Sequence, residues 1–237
     1  LPSPVVSISN PRSFHDFIGT FCFIHLMEFG WLGLPYHTIA EHYNQLFGEK
    51  IYKIHVAVVD NCPNRMGLKG MQTCVFCDVW GSAADSDNLL KPLKEQIETT
   101  SVKIAKKYKA KSFLVYFQAY TNTFTKVSSL RLNFETALSF PNVRGFVVGT
   151  RPDCLSPMVL DLWQEYQNKT SVLVELGVQS FFDEDLVFMR RGHSAEDSIK
   201  AIQKISSTTS VDLGIHLIFG NPNETAAKIK ETALICT

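Results

Sequence analysis

Five short runs rich in Val, Ile, Leu and Phe punctuate this 237-residue chain, over 53–59, 112–118, 145–149, 172–176 and 213–219. Each is nearly continuous in apolarity rather than alternating, the pattern of strands covered on both faces in a parallel sheet. The intervening stretches carry apolar residues at helical spacing. Leu93, Ile97, Ile104 and Tyr108 share one face behind Pro92, a residue suited to a first helical turn, and Val127, Leu130 and Phe134 repeat the pattern. Ser156-Pro157 opens a third helix. Ser194 with Asp197 has the form of a capping box ahead of Ile199, Ile202 and Ile205, and Asn223 is placed to cap a last helix. A short helix over 39–46 precedes the first strand. Strand and helix alternate, so the chain predicts a parallel α/β sheet, and its length allows one α/β barrel domain.

Residues 17–34 form a largely apolar run, near the minimum for a membrane span. His25 and Glu28 interrupt it, no Lys or Arg cluster precedes it and no clear small-residue cleavage site follows, so a buried or non-native segment is expected rather than a span or signal peptide. The hydrophobic fraction of 45% argues for a globular core and against disorder. Lys plus Arg and Asp plus Glu balance at 23 each, so no global field points to nucleic acid or membrane. One dense basic stretch stands out: Lys91, Lys94, Lys103, Lys106, Lys107, Lys109 and Lys111. It reads either as a solvated outer face or as a phosphate-facing surface.

The six cysteines lack the regular spacing of a secreted disulfide framework. Three of them fall within 58–81. Cys74 and Cys77 have two residues between them, and Cys62 stands twelve positions upstream across a Gly-containing loop that can fold back. Cys22, Cys154 and Cys236 lie elsewhere. Closed zinc sites take four ligands; a zinc knuckle here would need His55 or Asp78 as the fourth. A four-iron cluster held by three thiolates instead leaves one iron open to a small molecule. Thiolates kept reduced point to the cytoplasm.

This cysteine stretch, with Phe76 just before Cys77, resembles the radical S-adenosylmethionine (radical SAM) enzymes. Its long first interval is similar to that of the branch containing the Elongator catalytic subunit and the YhcC-type proteins. Further blocks resemble that branch in the same order: Tyr116-Phe-Gln-Ala-Tyr-Thr-Asn-Thr123, Gly149-Thr-Arg-Pro-Asp-Cys154, Val174-Glu-Leu-Gly-Val-Gln-Ser180, Arg190-Arg-Gly-His193 and Phe219-Gly-Asn-Pro-Asn-Glu-Thr225. The resemblance implies a partial (β/α)6 TIM-type barrel, here truncated after the fifth strand and its helix. It assigns residues 27–237 to the barrel, with Met27 a natural start, and leaves 1–26 as an extension without counterpart, in keeping with upstream read-through.

By the same resemblance, Cys62, Cys74 and Cys77 hold a 4Fe-4S cluster and S-adenosyl-L-methionine (SAM) completes it. The cluster passes an electron to the sulfonium and the resulting 5′-deoxyadenosyl radical abstracts hydrogen from substrate. Phe76 packs near the adenine; Gln118, Thr150, Arg151 and Gln179 surround the cofactor, and Arg191 offers a fork to its carboxylate. Glu175 either contacts cofactor or buttresses Arg151, since a carboxylate inside an apolar strand needs a partner. His216 reads as a barrel-interior polar group or a core histidine. Gly220 lies on a strand-to-helix turn placed against the adenosyl group, with no GxGxxG to support a dinucleotide site. Cys154 reads as a small buried thiol or a substrate-facing one. The expected partners are a reductant protein such as ferredoxin or flavodoxin and, as substrate, the wobble uridine of tRNA, with neither DNA nor membrane. The competing readings are a non-catalytic metal-binding module and an inactive fragment.

Overall fold

The computed structural model describes residues 6–8, 36–78, 80–81 and 91–236. Five parallel strands, β2 (Ile51–Val56), β3 (Ser112–Phe117), β4 (Val143–Thr150), β5 (Ser171–Gln179) and β6 (Asp212–Leu217), pair in sequence order. They coincide with the five apolar runs, with edges displaced by up to three residues. A strand that the apolar runs did not reveal, β1 (Val6–Ile8), pairs antiparallel with the outer edge of β6. The apolar run over 17–34, Cys22, Met27 and the expected boundary after residue 26 lie outside the described residues. Among the described residues no helix is long and apolar enough to cross a membrane.

The helices α2 (Leu93–Tyr108), α3 (Val127–Leu138) and α4 (Pro157–Gln167) fill the first three crossovers, and α5 (Asp183–Phe188) and α6 (Ala195–Thr208) share the fourth. Their ends are set locally. Ser156 accepts from the Val159 N–H at 3.3 Å with Pro157 in the first turn, and Ser194 and Asp197 form the expected capping box. The last helix, α7 (Ala226–Ile235), is capped by Thr225, whose hydroxyl accepts from Lys228 N–H at 3.3 Å, and not by Asn223, which sits in the left-handed region at φ 63°. The acidic six-residue α5 is too short to show a helical period in sequence.

Side chains alternate across each strand, and the two faces have different work. On β3, Phe113, Val115 and Phe117 pack with Ile97 of α2 and Leu130 and Phe134 of α3; on β5, Val172, Val174 and Leu176 join the same core. The opposite parity, Leu114 and Tyr116 on β3, Val147 on β4 and Leu173 on β5, packs with Tyr43 of α1 (Ile39–Phe47). That helix, started by Thr38 and stopped by Gly48 at φ 69°, closes the inner face. The sheet curls around this inner face. Flat, β2 and β5 would lie about 14 Å apart, three strand spacings, yet Lys53 Nζ of β2 reaches Glu175 Oε1 of β5 at 2.5 Å. The result is the partial barrel that strand order and strand number call for.

Candidate active site

Above α1 the inner face turns polar. Moving toward the C-terminal ends of the strands, the inward positions become Lys53 and His55, Tyr116, Gly149, Glu175 and Gly177, and His216. The loop that follows β2 folds over this end. Buried Asn64 staples it, donating from Nδ2 to the carbonyls of Gln72 and Arg190, each at 2.7 Å, while Val75 N–H reaches the Met189 carbonyl at 3.2 Å. The turn over Leu68–Gly70 needs left-handed backbone at Gly67 and Gly70, φ 66° and 77°. The three cysteines are thereby brought to one place, with Cys74 buried and Cys62 and Cys77 half-buried.

A cleft of about 190 Å³, open to solvent on one side, lies there. Cys62, Cys74 and Cys77 line it together with Phe76, Gln118, Thr150, Arg151, Glu175, Gln179 and Arg191. Among the residues that the resemblance assigns to the cofactor, Gly220 is the one absent from this lining. It lies on an exposed loop that closes on itself, its N–H donated to Glu224 Oε2 at 2.7 Å and Asn221 bound to the Ile218 carbonyl. Local turn bonds hold that loop away from the cleft lining.

The partners of the charged groups also differ from expectation. Glu175 does not meet Arg151. Its Oε1 accepts from Lys53 and its Oε2 from His216 Nε2 at 2.9 Å. Burial would push this carboxyl up, but the His216 bond and the Lys53 charge outweigh it and hold the group down to about 2. Tyr116 is pushed far above the usual phenol range by its burial, with Glu175 adding to the effect. Arg151 turns instead to Asp153, donating Nε and Nη2 to its two oxygens at 2.8 and 2.7 Å, and Nη1 to Asn64 Oδ1. The bidentate pair forms because Asp153 follows two residues later on the same loop.

Thr150 is tied down: Thr123 Oγ1 donates to the Cys154 carbonyl at 2.6 Å, so the 2.5 Å contact between the two hydroxyls must be a donation from Thr150. Cys154 itself, half-buried and outside the cleft lining, has its thiol pushed up to about 12, mainly by burial and Asp153. Gln118 Oε1 and Gln179 Oε1 are buried and find no hydrogen-bond partner among the described residues. A buried acceptor left unmet costs about 1–3 kcal/mol, and Gln179 also holds a left-handed backbone at φ 69°. Both features mark a place shaped for a polar ligand.

Burial pushes the Cys77 thiol up, and Arg65 opposes that shift. Arg65 gives its backbone N–H to Cys62 Sγ at 3.4 Å and its side chain to the Asp78 carbonyl at 2.8 Å, with the guanidinium 5.3 Å from the Tyr120 ring. Lys53, Tyr116, Tyr120, Asn64 and Gly177 were not singled out for the cofactor from sequence. Strand parity would have found three of them: Lys53, Tyr116 and Gly177 share the inward parity of Glu175. Gly177 leaves room that a methyl group would fill, a Cβ there standing 3.1 Å from Gln179 Nε2.

The sequence profile of the Radical SAM superfamily matches residues 56–235, from the end of β2 through α7. The chain belongs to this superfamily, and membership implies a 4Fe-4S cluster and SAM as cofactors. Among relatives, the uncharacterized protein YtqA of Bacillus subtilis is 32% identical over 198 residues, 84% of this chain and 61% of its own length. Protein YhcC of Escherichia coli is 36% identical over 187 residues, 78% of this chain and 59% of its own. The chain therefore spans about three fifths of the length of these relatives. A shorter stretch, 75 residues at 37% identity, matches a tRNA uridine(34) acetyltransferase of Methanocaldococcus infernus, covering 32% of this chain and 13% of that protein.

Proposed function

We propose that the cleft is the active site of a radical SAM enzyme in which Cys62, Cys74 and Cys77 hold the cluster, and that its substrate is a wobble-position uridine of tRNA. The carrying observation is that the three cysteines of the loop after β2 line one cleft together with two buried, unmet glutamine oxygens that come from two different strand ends. When bound, the cofactors supply reductive C–S cleavage of SAM and a 5′-deoxyadenosyl radical able to take hydrogen from substrate. The chain's own part is to hold and enclose. Gln118 and Gln179 offer acceptors to ribose hydroxyls, Phe76 presents a ring beside the cysteines, and the Lys53–Glu175–His216 chain keeps the floor polar and fixed.

A zinc module is the rival reading. Zinc gathers four ligands, each within about 2.3 Å of one ion, and among the described residues no three His, Cys, Asp or Glu side chains form such a group. Anaerobic reconstitution with iron and sulfide decides between them: a brown protein that releases 5′-deoxyadenosine on reduction supports the enzyme, and a colourless zinc protein sinks it.

The tRNA reading rests on the short match to the uridine acetyltransferase and on basic residues around the cleft. Lys106, Lys107, Lys109 and Lys111 gather where α2 ends, and Tyr108 stacks on Tyr52 at the start of β2, 5.0 Å between centroids. That is the opposite end of the sheet from the cleft. Lys91, Lys94 and Lys126 stand at the cleft end, before or at the starts of α2 and α3. In filter binding of tRNA across a salt series, changing these three to Glu lowers the salt slope by about 0.7–0.9 for each phosphate no longer neutralised, more than changing Lys106 and Lys107. Absence of salt-dependent binding by the cluster-loaded protein would turn the reading toward a small-molecule or peptide substrate. The electron source we propose is a ferredoxin- or flavodoxin-type protein, and the compartment the cytoplasm, where thiolates stay reduced.

A further inference from the structure

Arg191 is held by three partners at once. Its Nη1 donates to Cys74 Sγ at 3.4 Å, its Nη2 to the Gly177 carbonyl at 2.8 Å and its Nε to His193 Nε2 at 3.2 Å. The Phe76 ring lies against the guanidinium, 5.7 Å from Cζ to centroid. A fork that grips a carboxylate needs two parallel N–H groups aimed the same way. Here Nη1 and Nη2 are aimed at a sulfur and a backbone carbonyl.

His193 makes the arrangement rigid. Its Nδ1 faces the Ser194 carbonyl at 3.2 Å and Ser198 Oγ at 3.3 Å. A carbonyl can only accept, so Nδ1 carries the proton and Nε2 is left as the lone pair that receives Arg191. The ring is buried and neutral, its imidazolium pulled down to about 4 by burial and by the Arg191 charge. The capping box of α6 fixes Ser194 in turn. One chain of hydrogen bonds therefore runs from the start of α6 through His193 and Arg191 to the Cys74 sulfur.

We infer that Arg191, oriented by His193, is a positioning residue that tunes the redox potential of the cluster through the Cys74 thiolate. The inference rests on the reading above that Cys74 ligates a cluster. One-electron reduction adds negative charge to a cluster, and that charge is stabilised by N–H donors to its sulfurs and by a nearby cation; both raise the potential. Arg191 supplies both at one sulfur.

The test is a potentiometric titration of the full chain carrying a reconstituted cluster, followed by electron paramagnetic resonance, with SAM affinity measured on the same samples. Arg191→Gln keeps its iron and brown colour, and its equilibrium constant for one-electron reduction falls about tenfold, about 59 mV. Arg191→Lys, which retains the charge but loses the fixed fork, falls by less. His193→Gln leaves Arg191 in place and shifts the potential in the same direction by a smaller amount, so it carries the test even if Arg191→Gln folds poorly. A wild-type potential in these variants overturns the inference; if SAM affinity drops tenfold at the same time, Arg191 is the carboxylate fork after all. A wild-type chain that loads no brown cluster overturns the functional reading itself, whereas a loaded cluster with an unmoved potential overturns the tuning role alone.

Discussion

The two faces of the sheet are built from the same strands by alternation, yet they are not interchangeable. The outer face is largely apolar: Phe134 of α3 stacks on Phe146 of β4 with centroids 4.1 Å apart, and Phe117 and Tyr166 close around the pair. The inner face is apolar only where α1 covers it. Toward the strand ends it carries Lys53, Tyr116, Glu175 and His216, all but Lys53 lining the cleft. The outer face is where burial of apolar surface stabilises the fold. The inner face gives up some of that stabilisation to hold charges and unmet acceptors where a ligand can use them. Barrels of this kind separate stability from chemistry along the strand and across it.

Substitutions on each face should break this contrast in different ways. The largest effect is expected on the inner side: Ala at Cys62, Cys74 or Cys77 abolishes iron loading, read as iron per chain after reconstitution, while Cys236→Ala, packed against the outer core, loads normally. Iron lost as fully from Cys236→Ala would mean the ligands are misassigned.

On the outer face, Phe134→Ala empties the centre of the aromatic stack. It should cost about 3–5 kcal/mol and lower the melting temperature of the protein by about 10 °C, with iron per chain unchanged. Calorimetry paired with iron analysis would expose any leak of this effect into the site.

Glu175→Ala ranks next, since it removes the shared acceptor of Lys53 and His216 on the inner face. Breaking such a buried pair costs about 3 kcal/mol. The pH dependence follows from the direction of the shift. The folded carboxyl sits at about 2, below its ordinary 4.5, so it adds stability above pH 4.5 that fades as the pH falls toward 2. Denaturant midpoints of the wild type should drop across that window, and those of Glu175→Ala should lose this component of the drop.

The smallest effect is expected at Gly177→Ala. The added methyl would stand 3.1 Å from Gln179 Nε2 and 3.4 Å from Arg191 Nη2, which must each yield slightly. SAM binding to the loaded protein should weaken about threefold, somewhat under 1 kcal/mol, with little change in melting temperature. An unchanged affinity would show that Gln179 has room to retreat.

The strands, their parallel order and most helix starts were legible because they depend on local properties: unbroken apolarity, helical period and caps such as Ser194 with Asp197. The cysteine trio was legible by spacing and company, and the structure places its three members on one cleft. What escaped was set over long distances or by too little chain. Glu175 chose Lys53, 122 residues away, because the sheet curls enough for nonadjacent strands to meet. Arg191 reached Cys74, 117 residues away, because Asn64 and His193 hold their two loops together. Gly220 was steered from the cleft by bonds within its own turn. Sequence alone thus determined the five parallel strands and the longer helices and drew attention to the three closely spaced cysteines, since these follow from side-chain type and short-range order. Only the tertiary structure decided which charges face one another, because that depends on the curvature of a sheet whose strands come from the whole length of the chain.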